Sequence, residues 1–204
     1  MIFSHLRFAL TVLAGRLPAA KSSLPDSRVM VLELADLPSG WQRQGTRTFR
    51  TGLVAPSAPW AQRLREARGT SVVVSFRASD DPWAMVISQA IPFATAADAA
   101  MAFPTMEERF LGNPDPRVVE THRSPLVLAT VLGDQWTGLM VESTNLGEPG
   151  SQGTQLLALW RHESVLAHLT VSGGTGRFDV EDLVALALRQ DQRINDVLAA
   201  RKAS

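Results

Sequence analysis

The residues able to do chemistry in this chain are four histidines, an acidic pair and a glycine-rich run. His5, His122, His162 and His168 are scattered, and His162 and His168 stand six apart across a turn, a spacing that specifies no metal site. His122 lies in Glu120-Thr-His-Arg123 and so has a carboxylate near it, the minimum for acid–base work. Asp80-Asp81 could pair carboxylates for metal or glycosidic chemistry, yet two acids directly before Pro82 read as a solvated hairpin turn. Gly173-Gly-Thr-Gly176 has the composition of a phosphate-binding turn before a helix, but no P-loop Lys-Ser/Thr follows it. Asp179, Glu181 and Asp182 instead place negative charge where an anion would dock, so the run reads as a flexible strand-to-helix turn. No serine has a G-x-S-x-G context, and cysteine is absent, which removes disulfides, thiolate ligands and a cysteine nucleophile. Catalytic, cofactor-binding and metal-binding residues are therefore expected to be none.

The elements that would carry these residues belong to one ordinary globular domain. A chain of 204 residues with 45% hydrophobic and 20% charged residues can bury a substantial core. Twenty basic residues balance twenty acidic ones, so no overall field draws the protein to nucleic acid. Tyrosine is absent, which removes one general acid and a common interface anchor, whereas tryptophan occurs five times. Both cytosolic and exported proteins can lack cysteine, so the compartment stays open; a cytoplasmic or peripheral-membrane location is favoured, with export as the alternative.

Residues 1–20 are read as an amphipathic helix or weak anchor. The apolar run Phe8 to Gly15 falls far short of the ~20 residues of a membrane span. Ile2, Leu6, Leu10, Leu13 and Leu17 recur at helical spacing, and no A-x-A cleavage pattern follows Arg16. Residues 21–28 form a polar, proline-marked linker, and 29–204 the domain. In it, Val29 to Leu34 could begin a strand, Gln42 to Arg50 an edge strand with protective charges, and Pro59 to Arg68 a short helix bearing Trp60. Ser71 to Arg77 and Trp83 to Ile91 form a hairpin about Ala78-Ser-Asp-Asp-Pro82. A helix over 96–111 contains Pro104 and should kink or divide there. Arg117 to Glu120, Leu126 to Leu132 and Gln135 to Glu142 follow as further strand-like runs.

The clearest stretch is Thr154 to Leu198. Thr154 to Trp160 and Val165 to Val171 read as a hairpin; a turn centred on His162-Glu163 sets Trp160 opposite Val165 and Leu157 opposite His168. Both faces are apolar, as in a sheet covered on both sides. Asp179 is the expected N-cap of a final helix, with Phe178 stapling onto Leu183 and Arg201-Lys202 favouring its negative end. The fold class is thus α+β: a twisted, mostly antiparallel sheet of five to seven strands with helices near 95–111 and 179–200 packed on it, plus the N-terminal amphipathic helix.

Leu34-Ala-Asp-Leu-Pro-Ser-Gly-Trp41, Ile91-Pro-Phe-Ala-Thr-Ala-Ala-Asp-Ala-Ala100 and Val171-Ser-Gly-Gly-Thr-Gly-Arg-Phe-Asp-Val-Glu-Asp-Leu-Val184 together resemble actinobacterial envelope proteins. Those include lipoproteins and the extracellular sensor-type domains of mycobacterial serine/threonine kinases, similar in fold to PsbP-like α/β sandwiches. The resemblance spans roughly Val29 to Ala200, and none of its phrases is a catalytic motif. It implies a non-enzymatic binding or accessory domain; the chain departs from the lipoprotein pattern in having no cysteine and no convincing signal, at most a weak one in residues 1–20, so export is not carried over with it.

The expected function is a non-enzymatic accessory or protein-binding domain, a subunit of or partner to a membrane-associated complex. Phe3, Leu6, Leu10, Leu13 and Trp60 are its candidate partner-facing residues, and residues 1–17 a candidate peripheral membrane contact. The alternative is a sensor or carrier holding a small apolar ligand between sheet and helix, with His168, Leu157 and Trp136 lining the pocket.

Overall fold

The structure is a computed structural model that describes residues 24–50, 61–62, 70–81, 83–111, 119–128, 130–144 and 151–203. The amphipathic segment 1–17, with Phe3, Leu6, Leu10 and Leu13, lies outside the described residues, as does Trp60. Among the described residues seven strands form one sheet: β1 (Trp41–Arg50), β2 (Thr70–Ala78), β3 (Met85–Pro92), β4 (Val119–Pro125), β5 (Gln135–Thr144), β6 (Gln152–His162) and β7 (Val165–Gly174). Their spatial order is β1-β2-β3-β7-β6-β5-β4, and every neighbouring pair is antiparallel. Two helices pack on the sheet, α1 (Ala96–Leu111) between β3 and β4 and α2 (Val180–Lys202) at the C-terminal end, and Ala61 and Gln62 are also helical.

Because alternate side chains of a strand point to opposite faces, β7 shows how the layers are assigned. Val165, Ala167, Leu169 and Val171 share one buried cluster with Leu183, Leu186, Ala187, Ile194 and Leu198 of α2. Leu166 belongs to a second cluster with Ile91, Leu159 and Ala99, Ala102, Phe103 and Met106 of α1. The sheet is therefore sandwiched between the two helices, and its central strand is buried from Val165 to Gly173. A strand covered on both sides has to read as an unbroken apolar run, which explains the composition of β7.

The α2 start is a reciprocal capping box, in which the Asp179 carboxylate accepts from Asp182 N–H and the Asp182 carboxylate from Asp179 N–H. Helix α1 runs through Pro104 as a single element instead of dividing there. Proline removes one N–H and leaves the carbonyl four residues back without its partner; Ala100 and Pro104 are both exposed, so water can satisfy it.

Three further expectations change. Val29 to Leu34 is not a strand: it passes from a 3-10 turn at Ser27–Val29 to another at Leu34–Asp36. Met30, Val31 and Leu32 are nonetheless buried on the α2 side of the sheet, and Leu32 N–H donates to the side chain of Ser88 on β3, not to a strand ladder. Leu24 and Ser27, within the stretch read as a linker, are also buried. Leu126–Leu128 and residues 130–132 lie outside any strand, with the preceding edge strand running from Val119 to Pro125. In the β6–β7 hairpin, Trp160 pairs with Ala167 and Leu157 with Thr170, so each partner lies two residues beyond the expected one. The turn is Glu163-Ser164 between paired His162 and Val165, and Glu163 takes φ +50. Asp134 and Arg161 hold that residue in the left-handed region by bonding its N–H and its carbonyl. A shift of two preserves which face each side chain occupies.

A buried polar chain ties the layers together. Leu32 N–H donates to Ser88 Oγ at 3.0 Å, Ser88 Oγ donates to Gln190 Oε1 at 2.9 Å, and Gln190 Nε2 donates to the Gln89 carbonyl at 2.8 Å. Removing either side chain strands a buried partner, at a cost of about 1–3 kcal/mol. Ser88→Ala and Gln190→Leu should each lower unfolding stability by that amount in urea titrations. The double variant should lose less than their sum by about 1 kcal/mol; strict additivity would show that the bonds do not act as one unit.

Candidate functional site

The buried polar group that the fold uses least is His168, at the middle of β7. Register places it beside Gln89 of β3 and Leu159 of β6, facing the α1 side of the sheet. Its ring stacks on Phe110 of α1, with centroids 4.3 Å apart and planes 14° from parallel. Nε2 lies 3.2 Å from Thr170 Oγ1, whereas Nδ1 is buried without a hydrogen-bond partner. With only 7% of its surface exposed, His168 loses the hydration that would stabilise its charged form, and burial lowers its pKa to about 4. The imidazole is neutral at neutral pH. It offers one hydrogen-bonding nitrogen, a lone pair or an N–H according to the tautomer, inside a largely apolar surrounding.

The candidate pocket residues divide between the two faces. Leu157 pairs with Thr170 and shares the His168 face, half-buried. Trp136 pairs with Trp160 and packs against the α2-side core, on the opposite face. Between α1 and the sheet, Ile91, Phe93, Phe103, Met106, Leu159 and Leu166 are all fully buried and meet one another. His122 is exposed on β4, where register sets it opposite Glu142. No group of three or more metal-capable side chains occurs among the described residues.

One constellation escaped the sequence reading. His162, expected at the centre of the hairpin turn, instead ends β6, is largely covered, and its Nδ1 lies 2.8 Å from Asp191 Oδ1 of α2. The same carboxylate oxygen accepts from Trp160 Nε1 at 2.9 Å. Around this point Arg161 pairs with Asp134 at 2.8 Å and Lys202 with Glu163 at 2.6 Å, clamping hairpin turn, loop and helix end together. His162 and Asp191 are 29 residues apart, and no local spacing announces such a pair.

At the other end of α2 an open cavity of about 380 Å³ is lined by Pro38, Gly40, Trp41, Asp80, Phe178 and Asp182 among others. Trp41 and Phe178 form its aromatic wall, 5.9 Å between centroids, and Arg177 crosses it to bind both oxygens of Asp80. The glycine-rich turn leads into this region, but the helix start is occupied by its own Asp179 and Asp182 carboxylates.

Neither a protein-family model nor a curated protein sequence matches the chain. Among solved structures it is similar to the extracellular domain of PknH from Mycobacterium tuberculosis, with a TM-score of 0.57 at 11% identity, over 89% of this chain and 100% of that one. At that identity the likeness establishes the fold alone. It agrees at that level with the envelope-domain resemblance of the sequence.

His168 makes stability depend on pH in a defined direction. Its folded pKa lies below the unfolded value of 6.5, so the unfolded chain takes up the proton first. The contribution is intact above pH 6.5 and is lost as pH falls towards about 4, by up to roughly 3 kcal/mol. Urea unfolding across this window should show a slope that His168→Phe removes; an unchanged slope in the variant would assign it to other groups.

Proposed function

We propose that this chain is a non-enzymatic recognition domain that acts as an accessory or partner in a larger, membrane-associated assembly. The observation that supports this best is the loop between β4 and β5. Leu126, Leu128 and Leu132 are buried in the α2-side core, while Val127 and Val131 are 87% and 74% exposed. The loop is anchored by Leu126 N–H to the Gly138 carbonyl at 3.0 Å and by Asp134 N–H to the Arg161 carbonyl at 2.7 Å. Gly133, at φ +54, runs so close to the Arg161 carbonyl that a Cβ there would come within 2.2 Å. A backbone fixed this firmly holds two aliphatic side chains in water, as a preorganised contact surface does. The fold likeness to an extracellular domain supports the same reading.

Trp60 and the N-terminal residues Phe3, Leu6, Leu10 and Leu13 are proposed to extend this partner-facing surface, with residues 1–17 supplying a peripheral membrane contact. Affinity capture from cells that express the protein tests the proposal. The full chain should retain a reproducible set of proteins that Val127→Asp with Val131→Asp loses, and deletion of Met1–Leu17 should reduce recovery from membrane fractions. Identical retention by all three chains would count against it.

A second reading has its own observation, the unpartnered Nδ1 of His168. A small ligand bound beside the C-terminal turn of α1 would satisfy that nitrogen and cover Leu157. Since the apolar side chains beneath α1 already meet, the ligand would sit past the helix end and not under it. Native mass spectrometry of the purified chain should then reveal a bound species that His168→Phe sheds; a single apo mass for both proteins sinks this reading.

A further inference from the structure

We propose that the outer edge of β1 takes up an acidic, extended segment of a partner protein as an eighth strand. This rests on the reading of the chain as a recognition domain and names the chemistry of one partner. Among the described residues β1 is the last strand on its side of the sheet, and it is ten residues long. Register alternates its side chains between the two faces: Thr46 and Thr48 lie opposite Val74 and Val72, and Arg47 and Phe49 opposite Val73 and Ser71. Yet Gln42, Arg43, Gln44, Thr46, Arg47, Thr48 and Phe49 are all exposed, Phe49 at 47%. Cover is thus thin on both faces here, whereas β7 is buried along almost its whole length. The other edge strand, β4, is shorter and ends in Pro125, which has no N–H to give a new neighbour.

Charge selects the occupant. Trp41 to Arg50 contains Arg43, Arg47 and Arg50 and no aspartate or glutamate. Arginines on an edge strand oppose pairing between copies of the same chain, because two such edges bring like charges together. The same arrangement favours a strand carrying carboxylates. The register shift between Arg43 and Gly45 puts Arg43 opposite Phe76 on the α2 side, and Arg47 opposite Val73 on the α1 side. Arg43 also lies over the Phe76 ring, 5.8 Å from its centroid. A matching peptide therefore carries acids on both of its faces, three or four residues apart, with β-branched residues opposite Thr46 and Thr48 and an apolar one near Phe49.

The test uses the full chain and a fluorescent peptide of about ten residues, the length of a strand, built from Thr, Val and Glu. Its counterparts replace every Glu by Gln or by Lys, and vesicles with and without phosphatidylserine stand for an anionic membrane. The Glu peptide should bind, weaken with added salt, and slow amide exchange in β1. Arg43→Glu with Arg47→Glu should reduce its affinity about tenfold, as two reversed surface pairs imply. The milder Arg47→Gln should show a smaller loss, and an unchanged urea midpoint establishes that each variant is folded. Equal binding of the Gln peptide, binding without slowed exchange in β1, binding to phosphatidylserine vesicles alone, or no binding would each overturn the proposal. If the peptide fails while capture through Val127 and Val131 succeeds, the recognition reading stands and only the β1 site is lost.

Discussion

Gln190 sits in the middle of α2 with none of its surface exposed, and a primary amide in that position is tolerated only if its groups are bonded. Its oxygen accepts from Ser88 and its nitrogen donates to the Gln89 carbonyl, in a helix 102 and 101 residues further along the chain than its partners. Ser88 in turn takes the Leu32 amide. Three separate stretches, the N-terminal irregular segment, a central strand and the last helix, thus converge on one hydroxyl. Apolar packing could hold α2 against the sheet at several offsets. The amide admits one, because any slide along the helix axis would leave it buried and unbonded. Position along the helix then fixes where Asp191 meets Trp160 and His162, and where Lys202 meets Glu163.

The strand order imposes a matching constraint on the other layer. β7 is the last strand in the chain but lies in the middle of the sheet, joining β1-β2-β3 to β6-β5-β4. Neither half is continuous with the other until β7 inserts, so the fold depends on non-local pairing that is slow to form and rewarding once made. Burial of β7 on both faces is the corresponding gain. It also explains why His168 is neutral: the ring occupies a strand from which water is excluded on both sides.

What the sequence makes legible follows from the range of the interactions involved. The β2–β3 hairpin, the capped start of α2 and the two-faced character of β7 depend on neighbouring residues, and all three are plain in the amino-acid pattern. The β6–β7 register was offset by two because it turns on Glu163 adopting φ +50, an unusual conformation for a non-glycine residue, stabilised by Asp134 from another strand junction. Met30 to Leu32 looks like a strand because its side chains are buried as a strand's would be; its backbone partner is a serine side chain 56 residues away. Leu126 to Leu132 misleads in the same way, with buried leucines separated by exposed valines on a backbone that pairs as a loop. Gln190 and the His162–Asp191 pair carry no local signal, since each acquires its role only when α2 docks. Trp136 and His168 are strand residues of similar appearance, and only the pairing parity puts them on opposite faces.

The distribution of polar groups bears on the kind of function such a scaffold supports. Apart from Asp98, whose N–H is capped by Thr95 at the start of α1, the buried polar side chains among the described residues are uncharged: serines, a threonine, two glutamines and a neutral histidine. Charged pairs such as Arg161–Asp134, Arg177–Asp80 and Arg193–Asp36 lie towards the surface, where they lock turns and helix ends. Among the described residues, the buried interior is given to packing and to neutral bonds that fix alignment. Fixed alignment is what a contact surface requires, because side chains held in place before binding lose little freedom when a partner arrives. The anchored valines of the β4–β5 loop and the arginines of β1 are both carried on backbone that this internal bonding and the sheet have already ordered. Under the proposed role, the interior supplies rigidity and the periphery supplies specificity.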